Sequence, residues 1–361
     1  MEAYLGKCLD SLLLRKDDGT VDDGLMQALE VLVINDGSKD RTSEIGHGYE
    51  AKYPGTFRVI DKANGHYGSC VNRGLAEAKG TFIRVLDADD YVDNAKFKGF
   101  MELLLSFEPD KLPDAVMTDY DCVDEMGILK ARMQFTNLPQ KSFFTFEKLN
   151  NIGKYFYQNH NLTYRTGIFN LFAYNQTEGC LYSDSEWYIL PMTKVNEVYY
   201  YPESVVQYLV GREGQSISLQ VALKNFDKRL QLDLGIVGKL EKLAVTATVG
   251  GKKFTKERML QLLRNHYLRV FDGNHNDEQS LELLKRFDEA LKTLSPFYYK
   301  QVGETVRLRW HFVSLAYINE WRRHYSMLTW RFLLYRLLVN LGNIGHRIKK
   351  LFWKKGVSQG N

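Results

Sequence analysis

Cysteine is scarce and scattered in this chain: Cys8, Cys70, Cys122 and Cys180 show neither the pairing of a disulfide framework nor the spacing of a metal-ligand set. This predicts a reducing compartment, with the cytoplasm as default. No basic stretch is followed by an apolar run and a small-residue cleavage site, and no apolar run reaches the roughly 18 residues that span a bilayer. The chain is therefore expected neither to be secreted nor to cross a membrane by its own signals. A strong overall charge is also lacking, the formal net charge being +4. What is present is apolar matter: 361 residues with 44% hydrophobic content can pack one large domain with an appendage, or two domains, and exclude a disordered protein.

The most informative stretch is Phe82-Ile83-Arg84-Val85-Leu86-Asp87-Ala88-Asp89-Asp90, an apolar run that ends in three carboxylates. If the chain stays extended past Leu86, Asp87 and Asp89 share a face and converge. Oxygen-only donors favour Mg²⁺ or Mn²⁺, ions that keep positions open for water and for phosphate oxygens. The expected substrate class is a nucleotide di- or triphosphate. A solvated turn or helix cap is the plain alternative.

The surrounding sequence alternates strands and helices. Met1 to Leu14 places Leu5, Cys8, Leu9, Leu12 and Leu13 on one helical face. Ala28 to Ile34 reads as a buried strand ending at Asn35-Asp36-Gly37-Ser38, and Phe57 to Ile60 as a third apolar segment. Asn64 to Ser69 reads as a Gly-rich loop without the Lys of a P-loop, Cys70 to Ala78 as a helix closed by Gly80, and Thr81 to Leu86 as the strand before the acids. Such alternation predicts an α/β fold with a mostly parallel sheet flanked by helices, its ligands at the carboxyl ends of the strands. Asp36, Asn64 and Asp87 all fall there. Asp36 could accept a hydrogen bond from a base N–H or a ribose hydroxyl, and the loop glycines would let backbone approach a phosphate. His66 reads as a loop histidine, while His47, His160, His266 and His275 stand alone and are expected to be structural or exposed.

These residues resemble the family-2 inverting glycosyltransferases, whose fold is the GT-A nucleotide-diphospho-sugar transferase fold. The matching segments are Val33 to Asp40, then Asn64 to Leu75, then Ala78-Lys79-Gly80 leading into Leu86 to Asp90, followed by Tyr91. The resemblance covers residues 1–217 and implies bacterial capsule, exopolysaccharide or cell-envelope glycan synthesis. It makes Asp36 the residue that recognises the nucleoside, usually uridine. It sets Asp87 beside ribose and diphosphate, Asp89 on the divalent cation and Asp90 in support of the turn. Where the family often has Arg-Asn, this chain has Val71-Asn72, with Arg73 only afterwards. The family also begins with a strand forming part of the uracil pocket, and Met1 falls just after it, so the sequence is expected to be an N-terminally shortened reading of a longer protein.

Further along, Asp114 to Thr118 reads as a strand and Asp119 to Leu138 as a less regular acceptor wall. The aromatics between Phe143 and Tyr182 are core or, for one or two, a sugar platform. Tyr182-Ser183-Asp184-Ser185-Glu186-Trp187 resembles the motif that holds the family's catalytic base, which implies Asp184 in that role with Glu186 as second choice. Ser183 and Glu186 also have capping-box spacing, so the acids could simply start a helix. Tyr208 to Ile217 resembles the segment after the base, where Arg212 would neutralise a leaving diphosphate or stay a solvated turn residue.

Residues 218–303 carry apolar positions at helical spacing and are expected to form a helical extension. Residues 304–361 hold eleven Lys or Arg against two Glu up to Lys355, interleaved with Trp321, Trp330, Phe352 and Trp353. That composition suits a basic amphipathic helix on an anionic membrane surface, or one packed on the protein, and nucleic acid is not an expected partner. The expectation is thus a metal-dependent hexosyltransferase using Mn²⁺ or Mg²⁺ and a nucleotide-sugar donor, expected to be a UDP-sugar, with a saccharide or lipid-linked acceptor. It would be cytoplasmic and peripheral on the inner face of the membrane. The alternatives are a non-catalytic sugar-nucleotide-binding protein and a nucleotidyltransferase on a similar sheet.

Overall fold

The computed structural model describes residues 1–149, 158–180, 182–212, 224–271, 277–304, 316–325, 327 and 333–334. The chain opens in helix α1 (Glu2–Ser11), which buries Leu5, Cys8 and Leu9 as their spacing predicts. A short helix α2 (Asp23–Gln27) follows, capped by the Asp22 side chain on Leu25 N–H. Next come strand β1 (Val31–Asp36), helix α3 (Thr42–Lys52), strand β2 (Phe57–Lys62) and helix α4 (His66–Glu77). Helix α4 starts four residues before the sequence suggests and absorbs four of the six residues of the expected Gly-rich loop. Strands β1 and β2 pair in parallel from Val31 with Phe57 to Asp36 with Lys62, as a two-stranded sheet of their own.

A seven-stranded sheet carries the rest of this unit. Its members are β3 (Phe82–Ile83), β4 (Tyr91–Val92), β5 (Ala115–Val123), β6 (Leu129–Met133), β7 (Phe143–Phe144), β8 (Leu162–Arg165) and β9 (Val198–Leu209). The order is β3-β8-β5-β9-β4, with β6 on β5 and β7 on β9. The expected α/β class holds, with helices α5 (Asn94–Ser106) and α6 (Asp184–Ile189) among the connections. The strand sense differs from expectation: only β5–β9 is parallel in this sheet, whereas β3–β8, β4–β9, β5–β6, β5–β8 and β7–β9 are antiparallel. The tight turn between β5 and β6 shows why. Asp124 accepts from the N–H groups of Met126 and Ile128, and Gly127 takes φ 75°, so the chain reverses without a crossover helix. The region after Asp119 is accordingly regular, β5 continuing to Val123.

Two further differences shape the site. The strand before the acids is only Phe82–Ile83, so Arg84 to Asp87 is irregular. The aromatics near Trp187 are core: Tyr164 and Trp187 are fully buried and lie edge-to-face at 5.4 Å, and Phe169 stacks on Trp187 at 5.3 Å. Tyr155, Phe156 and Tyr157 lie outside the described residues.

Helices α7 (Phe226–Leu243), α8 (Val249–Phe271), α9 (Glu278–Leu294), α10 (Pro296–Val302) and α11 (Ala316–His324) form the helical C-terminal region. The chain divides into compact units at Met259 and Leu260, so α7 belongs to the unit that carries both sheets. In the second unit a buried Asp288 accepts from the Tyr267 hydroxyl and from Arg322 Nε at 2.8 Å, beside a fully buried Trp321. Most of the basic tail expected for 304–361 lies outside the described residues.

The apolar core of the first unit joins Leu5 and Leu9 of α1, and Leu12 and Leu13 just after it, to Phe97, Phe100 and Met101 of α5 and to Val205 and Val206 of β9. Phe100 is 2% exposed and its ring lies 6.0 Å from that of Tyr201. Truncating such a ring removes its transfer energy and leaves a cavity. Phe100→Ala is expected to cost about 3–5 kcal/mol in urea unfolding; a loss below about 1 kcal/mol would mean the ring is not packed as described.

Candidate active site at the acidic turn

Asp36 ends β1, and the turn after it is built on Gly37 at φ 70°, where a side chain would press on the Asn64 backbone nitrogen 3.1 Å away. Asn64 Nδ2 donates to the Asp36 carbonyl at 3.0 Å, and Gly65 N–H donates to Asp36 Oδ1 at 2.9 Å. Lys62 Nζ, from the end of β2, also grips Asp36 and donates to Ser69 Oγ at 2.8 Å. Burial works to raise the Asp36 pKa, but Lys62 and the Gly65 and His66 N–H groups outweigh it and hold the carboxyl below its ordinary value. Asp36 and Asn64 are thus brought together as their positions in the sequence suggest. Lys62 was not singled out, because a lysine ending a strand carries no spacing that marks it.

The three acids of the turn take different partners. Asp90 N–H donates to the Asp87 carbonyl at 3.0 Å, closing a turn where an extended chain was expected. The Asp87 and Asp89 side chains are thereby turned to different partners. Asp89 Oδ2 pairs with Arg212 Nη2 at 2.9 Å, and that guanidinium lies 5.4 Å from the ring centre of Tyr4. Asp87 Oδ2 accepts from Asn159 Nδ2 at 3.2 Å. Asp90 is buried, accepts from Leu209 N–H at 2.9 Å through Oδ1, and sets Oδ2 3.3 Å from His160 Nδ1. Burial, then the neighbouring Asp90, pushes the Asp87 carboxyl up to about 7, with His160 pulling the other way. Burial raises Asp90 well above its ordinary range and lowers the His160 imidazole.

His160, expected to be structural or exposed, is buried beside the acids. A 3₁₀ turn (Asn159–Asn161) just before β8 delivers both Asn159 and His160 to the acids. The imidazole stacks on Tyr208 at 4.1 Å, and Arg84 Nη2 donates to the His160 carbonyl and to Thr118 Oγ1 at 2.7 Å. Nothing in the local sequence reveals this, since 70 residues part His160 from Asp90 and the contact exists only through β-pairing. Asp87, Asp90 and His160 each offer a donor atom, and these lie within 4.8 Å of one another. Asp90 Oδ2 has no hydrogen bond among the described residues. An unsatisfied buried carboxylate oxygen amid further anionic groups suits a divalent cation.

Asp184 opens α6, two residues after Tyr182, which takes φ 70°. Its carboxyl is raised, mainly by burial, with Arg229 of α7 and His160 opposing. It lies near enough to Asp87 to raise that group in turn. Glu186 points elsewhere. It is fully buried, accepts from Thr177 N–H, from Thr177 Oγ1 at 2.9 Å and from Lys239 Nζ at 2.6 Å. Ser183 makes no side-chain cap, so the capping box suggested by the spacing does not form. Glu186 instead ties the loop at 175–178 to α6 and α7. Asn72 holds the same loop, donating to Asn175, Gln176 and Glu178 and accepting from Gln176 N–H. Gly68 of α4 must be glycine here, as a Cβ would come 2.1 Å from the Thr177 carbonyl oxygen. Residues 213–217 of the Arg212 segment lie outside the described residues.

The sequence profile described as Glycosyl transferase family 2 matches residues 2–175. An uncharacterized glycosyltransferase of Mycoplasma pneumoniae is 30% identical over 220 residues, which cover 60% of this chain and 66% of that relative. Uncharacterized glycosyltransferase EpsJ of Bacillus subtilis is 39% identical over 102 residues, 28% of this chain and 27% of its own length. The chain thus spans less than two thirds of these relatives. A crystal structure of S. aureus TarS residues 1–349 in complex with UDP-GlcNAc superposes with a TM-score of 0.59 at 15% identity, over 91% of this chain and 90% of that one. That likeness is one of fold, and it bears out the expected GT-A architecture.

The raised Asp87 pKa makes a prediction about stability. An unfolded Asp titrates near about 3.9, so this group favours folding fully below that value, and its contribution is lost as pH rises through about 7. Asp87→Asn removes the titration while keeping an acceptor for Asn159. In EDTA, the variant should gain stability relative to the parent as pH rises from about 4 to about 7 in denaturant unfolding; a constant difference across that range would refute the buried charge at this position.

Proposed function

Residues 2–175 belong to glycosyl transferase family 2, and from that premise we propose that the chain is an inverting glycosyltransferase. It moves a hexose from a nucleotide-diphosphate sugar, a UDP-sugar in this reading, to a saccharide or lipid-linked acceptor in bacterial cell-envelope glycan synthesis. The observation that carries the reading is the nearness of Asp184 to Asp87 and His160, whose ionisation its charge perturbs. The UDP-GlcNAc complex of TarS, in the same fold, supports a UDP-linked donor.

In this reading the nucleoside sits at the end of β1, where Asp36 accepts from the base or ribose while Asn64 holds the turn. The acceptor hydroxyl attacks the anomeric carbon as the bond from that carbon to the diphosphate oxygen breaks on the opposite side. The bonding electrons leave with the diphosphate, and Asp184 takes the hydroxyl proton. Asp87 and Asp89 are the residues assigned to a Mn²⁺ or Mg²⁺ ion, which when bound neutralises charge on the diphosphate. Arg212, paired with Asp89 here, would answer the developing charge on the leaving group. Glu186 positions α6 and takes no proton, because Lys239 and Thr177 already occupy its oxygens. No described helix is long and apolar enough to cross a membrane; the basic tail would hold the enzyme on the inner membrane surface by charge and aromatic contact.

Titration of the purified chain with UDP and UDP-sugars, in Mn²⁺ and then in EDTA, should raise the melting temperature only when the metal is present. No nucleotide binding in either condition would overturn the reading. Asp184→Asn should lower kcat by about 10²–10⁴-fold with nucleotide affinity unchanged. Retained turnover in that variant would remove Asp184 from the chemistry.

A further inference from the structure

Lys62, at the end of β2, has no part in the reading above, yet its ammonium is fully engaged. It pairs with Asp36 Oδ1, donates to the Ala63 carbonyl at 2.7 Å and donates to Ser69 Oγ at 2.8 Å. Three N–H donors thus meet three acceptors, and none is left over for a phosphate. Gly65 N–H reaches the same Oδ1 at 2.9 Å, so Oδ2 is the oxygen that these two donors leave to a ligand. The loop is built tightly around this contact. Ser69 Oγ donates onward to the His66 carbonyl at 2.7 Å, a Cβ on Gly65 would lie 2.6 Å from Ser69 Oγ, and His66 takes φ 64°. The Lys62 and Asp36 side chains are only 18% and 20% exposed, so either group left alone would feel the loss of the other. Cys70 of α4 also faces Asp36, but burial pushes its thiol up to about 11, so it stays neutral and supplies no counter-charge.

We propose that Lys62 is a positioning residue for donor selection, which fixes Asp36 as the acceptor for a ring N–H of the nucleobase. This rests on the glycosyltransferase reading for the presence of a nucleotide at the end of β1 and adds what selects its base. A ribose hydroxyl both donates and accepts, so it can satisfy a carboxyl in either protonation state. A ring N–H only donates, and it needs a carboxylate with an oxygen aimed at it. With Oδ1 occupied by Lys62 and Gly65, Asp36 presents its other oxygen in one direction. Against the pull of burial, the ammonium also holds that carboxyl below its ordinary value. Uracil carries an N–H at N3, whereas the N3 of cytosine is a lone pair that would face the carboxylate. Two acceptors meeting in a partly dry site make the wrong base costly. Lys62 acts here through Asp36 and touches no part of the nucleotide itself.

The test is calorimetric titration of the whole chain with UDP and with CDP, at fixed Mn²⁺ and near neutral pH, for the parent and for Lys62→Met. The parent should favour UDP over CDP by about tenfold or more. Lys62→Met should lose about tenfold in UDP affinity while CDP affinity holds, so that the preference largely disappears. An equal loss for both nucleotides would make Lys62 a structural support only, and an unchanged preference would separate it from the base. Either result overturns the proposal and leaves the glycosyltransferase reading standing, as does a parent that binds UDP no better than CDP. A parent that binds neither nucleotide overturns both. Should Lys62→Met fail to fold, Ser69→Ala, which removes one partner of the ammonium, decides in its place: the preference for UDP should fall, and an unchanged preference overturns the proposal.

Discussion

The concentration of negative charge at Asp87, Asp89 and Asp90 is the constraint around which this unit is arranged. Three carboxylates in a short, partly buried turn repel one another and lose hydration, and each must be answered from elsewhere in the chain. Arg212 answers Asp89, Leu209 N–H and His160 face Asp90, and Asn159 answers Asp87. All of these partners come from the ends of β9 and from the turn before β8. Strand β4 begins one residue after the last acid and pairs with β9 at Tyr91 with Gln207 and Val92 with Val206. That pairing sews the turn to the strand that supplies Leu209. The long parallel run of β5 on β9, from Ala115 with Val198 to Val123 with Leu209, fixes where that strand ends.

The wall that carries Asp184 is held by a different device, a polar clamp around the loop at 175–178. Glu186 and Lys239 grip Thr177 from below, Asn72 grips Asn175, Gln176 and Glu178 from the side, and Gly68 lets α4 come close to the Thr177 carbonyl. Buried polar groups with several partners fix one geometry, because any displacement leaves more than one of them unsatisfied. Asn72 and Glu186 thus matter to the site without facing a reacting atom. Both lie inside segments that the motif resemblance picks out, which shows how such a segment can mix residues for chemistry with residues for position.

Much was legible in the sequence where the code is local. Apolar spacing marked α1, β1 and β2 and the helices of the C-terminal region, and the clustered acids marked the turn. Legibility failed where a residue's meaning depends on a distant partner. Extended geometry suggested that Asp87 and Asp89 converge, but the Asp90 N–H to Asp87 carbonyl bond turns the chain and sends Asp89 to Arg212, 123 residues away. The spacing of Ser183 and Glu186 suggested a cap, but Lys239 draws the glutamate away from the helix start. The mostly parallel sheet was inferred from the alternation in the first hundred residues, before the short reversals of β5 to β9 entered the count.

By itself, the sequence determined the elements, the family to which the first half belongs, and the acids that concentrate charge at one strand end. Those follow from periodicity and from residue chemistry at fixed spacing, which survive without knowledge of what packs on what. Tertiary structure alone decided which acid meets which partner, that Lys62 sits on Asp36, and that His160 stands beside Asp90. A side chain's charge is written in the chain, but its desolvation and its counter-charge depend on neighbours that sequence distance does not predict, and pairing through the sheet is what brings them within reach.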